Sequence, residues 1–130
     1  MSINPQVNYN SNPIPVEELN ALIIDSIQDI KGKNIALLDL TDLDEAPTDY
    51  FIICEGESNT QVKAISDRIY KRLKEEGFTF PSHVEGTRES MWICMDYFHT
   101  VVHCFHKDKR GFYQLESLWS DAKYTEYDSL

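Results

Sequence analysis

The sequence predicts a single α/β domain: a mixed, mostly five-stranded sheet packed by helices. Three observations predict it. The chain has 130 residues, enough for one substantial hydrophobic core and few for two. Two stretches, 16–30 and 62–73, carry apolar residues at helical spacing. Five strand-length apolar or alternating runs lie around them, at 34–40, 49–55, 78–84, 91–97 and 100–106.

Residues 1–14 contain no charged side chain and hold three asparagines before Ser11 and two prolines, so they read as a flexible N-terminal tail. Pro15 suits a first helical turn. Val16, Leu19, Leu22, Ile23, Ile27 and Ile30 follow at helical spacing, and Lys31-Gly32 supplies a stop. "NIALLDL" (34–40) and "DYFIICE" (49–55) are nearly continuous apolar runs, as in strands covered on both faces. Ser58 followed by Gln61 matches a capping box and opens the second helix. Its buried stripe is Val62, Ile65, Ile69 and Leu73, and Gly77 ends it. "FTFPSHV" (78–84) alternates but contains Pro81, which assigns it to an edge. "MWICMDY" (91–97) and "TVVHCFH" (100–106) are close enough for a hairpin. A last helix starts near Asp108, with Phe112, Leu115 and Trp119 on one face, Leu118 beside them, and Tyr113 and Glu116 on the neighbouring face. The domain thus spans 15–122, with 123–130 as a C-terminal tail. The order α-β-β-α-β-β-β-α puts a parallel link across the second helix.

The formal net charge is -10, which phosphate backbones repel, so little direct nucleic-acid binding is expected. A basic protein partner would be attracted instead. No apolar run approaches the ~20 residues of a membrane span, and no basic start leads into an apolar stretch, so the expectation is a cytoplasmic protein without membrane contact. Cys54, Cys94 and Cys104 are three in number and sit in apolar contexts, which reads as reduced thiols.

Three kinds of chemistry could draw on these residues. His99, His103, His106 and Cys104 crowd eight residues, but alternation along a strand points His103 away from both Cys104 and His106. His99 and His103 would stand roughly 13 Å apart, so no tetrahedral metal cage follows. Cys54 lies within an apolar run and reads as a packed small hydrophobe rather than a nucleophile. The alternative function is a metal-dependent nucleotidyltransferase-like enzyme, because "EGES" (55–58) is a Gly-x-Ser turn before a helix start and could hold a phosphate. That chemistry needs paired carboxylates on a following strand; Asp42 and Asp44 precede the turn, Asp67 lies on a helix and Asp96 stands alone. Gly56 and Ser58 therefore read as turn and cap, with no catalytic residue and no cofactor expected. Trp92, Asp96, Tyr113, Glu116 and Trp119 instead combine aromatic bulk with acid, a mixture suited to protein interfaces.

These residues also carry a resemblance. "ALIIDSIQDIKGKNIALLDL", "TDYFIICEGESNTQVKAISDRI", "VEG", "VVHCF" and "FYQLESLWSDA" resemble the ribosomal silencing factor, or Iojap-like, family from about Val16 to Ala122. The resemblance implies an α/β domain of nucleotidyltransferase-like topology without demonstrated transferase activity. It implies binding to the large ribosomal subunit through ribosomal protein L-fourteen, a steric block to subunit joining, and repression of translation under nutrient limitation. Homodimers belong to the same implication. Its residues place partner binding at Trp92, Asp96, Phe98, His99, Tyr113 and Glu116, with structural or dual roles for Thr48, Asp49, Tyr50, His103 and Trp119. The family's Asp-Leu-Gly-Asp turn is here Asp96-Tyr97-Phe98-His99. Phe98 in the glycine position predicts a turn without an easy positive φ and with added apolar surface. His99 removes a negative contact.

Overall fold

The computed structural model describes residues 14–110 and 119–130. Its elements are α1 (Val16–Asp29), β1 (Lys33–Asp39), β2 (Tyr50–Gly56), α2 (Asn59–Gly77), β3 (His83–Glu85), β4 (Trp92–Asp96), β5 (Thr100–His106) and β6 (Lys123–Tyr127). They build one mixed sheet in the order β3-β4-β5-β2-β1-β6. β2 and β5 pair in parallel, as the crossover through α2 requires; every other pairing is antiparallel.

The expectation of mostly five strands is corrected to six. The extra strand comes from residues set aside as a C-terminal tail: Lys123–Tyr127 pair along β1 from Asp39 to Ile35. "KYTEY" is exposed at four of its five positions, so it carries almost no apolar signal, and its backbone pairing holds it. Ile14, assigned to the N-terminal tail, packs on the core. The strand expected at 78–84 shrinks to His83–Glu85, because Phe78 takes a left-handed φ of 49° to cap α2. The helix expected over the "FYQLESLW" stretch lies outside the described residues, and with it Tyr113 and Glu116.

Strand alternation sorts the core into two faces. Ile35, Ile52, Cys54, Ile93, Met95, Val102 and Cys104 face α1 and α2, which bring Leu19, Ile23, Ile27, Val62, Ile65, Ile69 and Leu73. Ala36, Leu38, Phe51, Ile53 and Phe105 form the opposite face, with Trp92 and Trp119 packed against them. The helices are tied together by Arg72 on α2, which pairs with Asp25 at 2.5 Å, Asp29 at 3.0 Å and its own helix's Glu76 at 2.8 Å. The glycine after α1 is there for proximity: a Cβ on Gly32 would run into Ile27 Cγ2, while Lys31 takes the positive φ of 62°.

Candidate functional site

The β4–β5 turn gathers the largest share of the residues singled out by sequence. The Asp96 carboxylate accepts the Phe98 N–H at 2.8 Å, and the Tyr97 N–H donates to the Thr100 carbonyl at 2.8 Å. The Thr48 hydroxyl donates to the Phe98 carbonyl at 2.8 Å, and the Tyr50 N–H donates to the His99 carbonyl at 2.9 Å. His99 Nδ1 lies 2.9 Å from the Asp49 carboxylate. Thr48, Asp49 and Tyr50 therefore act together as a clamp on the turn. Residues some 50 positions apart meet because β2 and β5 are parallel neighbours whose first residues, Tyr50 and Thr100, are in register.

Phe98 has a φ of 71° and is 73% exposed. The expectation that this turn would forgo positive φ is corrected: the backbone keeps it and a phenylalanine bears the steric cost, roughly 1–2 kcal/mol for an L-residue. Five hydrogen-bonding groups around the turn offset that cost. Phe98→Gly should then raise stability by about 0.5–1 kcal/mol, the relief of positive φ less the added freedom of the unfolded chain. Phe98→Ala keeps the φ penalty and should not. Thermal melts of both variants check this; equal melting temperatures for the two would mean that the turn stores no strain.

On the same sheet face as Phe51 and Phe105 sits a second cluster. Trp92 stacks on Phe105 with ring centroids 5.1 Å apart and donates its indole N–H to His103 Nδ1 at 3.1 Å. His103 meets Phe51 edge-on at 4.7 Å, and Phe51 meets Trp119 edge-on at 6.2 Å. The Trp92 bond fixes the His103 tautomer with hydrogen on Nε2, which is buried and meets no acceptor among the described residues. Burial lowers the His103 pKa to about 4. Trp92 and Trp119 are each half-buried, so both serve packing as well as presenting surface. Parity along β4 and β5 could have joined Trp92 to His103 in advance, since the two strands form a hairpin with Cys94 opposite His103.

The two halves expected of a transferase site do not meet. Asp42 and Asp44 lie in the β1–β2 loop, before the start of β2, whereas Gly56 is its last residue and Ser58 lies beyond it. A seven-residue strand separates them by roughly 20 Å. At the Gly56–Ser58 turn the Ser58 side chain and the Glu57 N–H serve the helix cap: the Gln61 N–H donates to Ser58 Oγ at 3.1 Å, and the Glu57 N–H donates to Gln61 Oε1 at 2.6 Å. A Cβ on Gly56 would stand 2.8 Å from Val62 Cγ2, so that glycine serves the close approach of strand and helix. The three histidines point to three places: His99 to Asp49, His103 into the aromatic cluster, and His106 toward Asp108.

The model of a family described as "Ribosomal silencing factor during starvation" matches residues 13–130. The chain belongs to the ribosomal silencing factor family. The ribosomal silencing factor of Bacillus subtilis is 39% identical over 100 residues, covering 77% of this chain and 83% of that one. The silencing factor of Halalkalibacterium halodurans is 34% identical over 114 residues, covering 88% and 96%. A crystal structure from Chromobacterium violaceum superposes with a TM-score of 0.77 at 34% identity, covering 82% of this chain and 88% of that one. Mouse "Mitochondrial assembly of ribosomal large subunit protein 1" shares 33% identity over 76 residues, 56% of this chain and 33% of its own. In this member of the silencing factor family, the clamp of Thr48, Asp49 and Tyr50 holds the turn that carries Phe98 and His99. No helix among the described residues is long and apolar enough to cross a membrane.

Proposed function

We propose that this protein docks on the large ribosomal subunit through ribosomal protein L-fourteen and there blocks joining of the small subunit by occupying its place. Translation falls accordingly when nutrients are limited, and the work is done where ribosomes are, in the cytoplasm. The observation that carries the docking half is the clamped β4–β5 turn. It presents a large exposed ring, Phe98, on a backbone already ordered, so little conformational entropy remains to be lost on binding. Asp96 and Asp49 flank it, and the chain as a whole carries a net charge of -10, which favours a basic protein surface. Tyr113 and Glu116 join this surface in the proposal, as do Trp92 and His99. Occlusion requires no chemistry, in keeping with relatives named for silencing.

Purified protein added to joined ribosomes should shift sedimentation toward free subunits without any nucleotide. Joined ribosomes that persist with the protein still attached to the large subunit would refute occlusion. Phe98→Ala should weaken large-subunit binding by at least about 1 kcal/mol, the cost of losing an interface anchor. Asp96→Asn should chiefly slow association, with the difference from wild type fading as rising salt shortens the screening length below ~8 Å. An association rate indifferent to salt would count against steering.

A further inference from the structure

The two helices leave one margin of their sheet face open. α1 packs on β1 and β2, and α2 packs on β2, β4 and β5, whereas β6 extends the sheet beyond β1. Beside α1, over that margin, lies a cavity of about 530 Å³, within the range of small-molecule sites. Strand register explains its walls: Asp39 is paired with Tyr50 and Ile35 with Tyr127, so residues of β1, β2 and β6 turn the same face toward α1. Tyr50 and Tyr127 supply rings, and Ala21, Ile24 and Leu37 supply aliphatic surface.

The polar groups here are of two kinds. Glu17, Asp25 and Asp39 line the cavity, and among the described residues no lysine, arginine or histidine does; Lys123, the partner of Asp39 on β6, pairs with Asp42 at 3.5 Å. Asp25 is engaged by Arg72 and Asp39 by Thr41, while Glu17 forms no ion pair among the described residues. Deeper, Asn20 is only 6% exposed. Its Oδ1 accepts the Thr100 hydroxyl at 2.5 Å, and among the described residues its Nδ2 meets no acceptor. The Nδ2 donor is open to the cavity and so is available to a ligand oxygen. Burial raises the Tyr50 pKa, and the charges of Asp39 and Glu17 raise it further, so both carboxylates act on the same corner of the cavity.

The geometry points to a binding site for a small organic cation of the arylalkylamine class. Its ring lies along Tyr50, Tyr127 and the aliphatic wall, its ammonium meets Glu17 and Asp39, and an oxygen on the ring accepts from Asn20 Nδ2. Phosphorylated nucleotides and carboxylates are disfavoured by the same carboxylates that attract an amine. This site is on the helix side of the sheet and does not rest on the docking proposal.

Tyramine is the probe, with 4-hydroxyphenylacetate as its anionic counterpart of similar shape. Each is titrated into the full chain, followed by calorimetry and by the NMR signal of the Asn20 side-chain amide. Tyramine should saturate and shift that amide, and 4-hydroxyphenylacetate should do neither. Glu17→Gln, at an exposed position, should weaken tyramine about threefold, the scale of one partly solvated ion pair. Ala21→Trp, also exposed on α1, should fill the mouth and abolish binding with the melting temperature unchanged. An equal response to the two probes, no saturation by tyramine, or tyramine binding that survives Ala21→Trp overturns the site. If Ala21→Trp destabilises the fold, Glu17→Gln decides alone, and an unchanged affinity there overturns the proposal.

Discussion

Gly86→Ala should be strongly destabilising, costing roughly 2–5 kcal/mol as left-handed strain and overpacking combine. Gly86 has a φ of 88°, and a Cβ placed on it would overlap the Trp92 carbonyl oxygen and lie 3.0 Å from that carbonyl carbon and 3.3 Å from Ile93 Cα. Those neighbours are backbone, so no side-chain rotation relieves the contact. Room can be made only by parting β3 from β4, whose last pair is Glu85 with Cys94. That parting also disturbs Trp92, because its carbonyl is the obstacle and its ring sits on Phe105. Denaturant unfolding followed by tryptophan fluorescence checks this, and a midpoint equal to wild type would refute it. The glycine of Val84-Glu85-Gly86 is thereby explained by the approach of two backbones.

The second large effect is acid instability centred on His103. In the unfolded chain an imidazole takes up its proton near pH 6.5, whereas burial delays the same event in the folded protein to about pH 4. Between those values the unfolded state binds more protons, so stability falls as pH falls. Above pH 6.5 both states hold a neutral ring and the effect vanishes. Across the whole window the loss is about 3 kcal/mol. His103→Gln retains an acceptor for the Trp92 indole but cannot titrate. Its stability should stay flatter from pH 6.5 to 4, and the difference between the two curves separates His103 from the carboxylates, Asp39 among them, whose lowered pKa values act at lower pH. Parallel curves for the two proteins would mean that His103 is charged in the fold or reaches water.

Much of the sheet could be read in advance because apolar period and turn chemistry agree along it. "TVVHCFH" begins with Thr100, ends with His106, and β5 has those same limits. Ser58 and Gln61 form the reciprocal cap their spacing predicts, except that the glutamine reaches the Glu57 N–H in place of the Ser58 N–H. Three departures from the expected turns share a cause. Lys31, Phe78 and Phe98 all take positive φ, where sequence rules look for glycine. In each case the surrounding hydrogen bonds, as from Thr48 and Asp96 onto Phe98, outweigh a local preference. The bond between Asn20 and Thr100 spans 80 positions and has no local trace. β6 was missed because polar alternation at an edge looks like a solvated tail. Of the proposed docking surface, the acids and aromatics are visible in the sequence, while the grouping of Thr48, Asp49 and Tyr50 around Phe98 needs the parallel register of β2 and β5.

β6 also does something for the molecule that its own contacts do not reveal. The strand it covers, β1, is the apolar stretch Ile35, Ala36, Leu37 and Leu38, and without β6 that stretch would be the border of the sheet. A bare apolar border offers a row of free N–H and C=O groups to any other chain, the starting point for intermolecular strand addition and precipitation. β6 replaces it with a border of lysine, threonine, glutamate and tyrosines. Residues 123–127 thus act as a guard against aggregation: they add little to the hydrophobic core, yet they keep an apolar, adhesive strand in the interior of its own sheet.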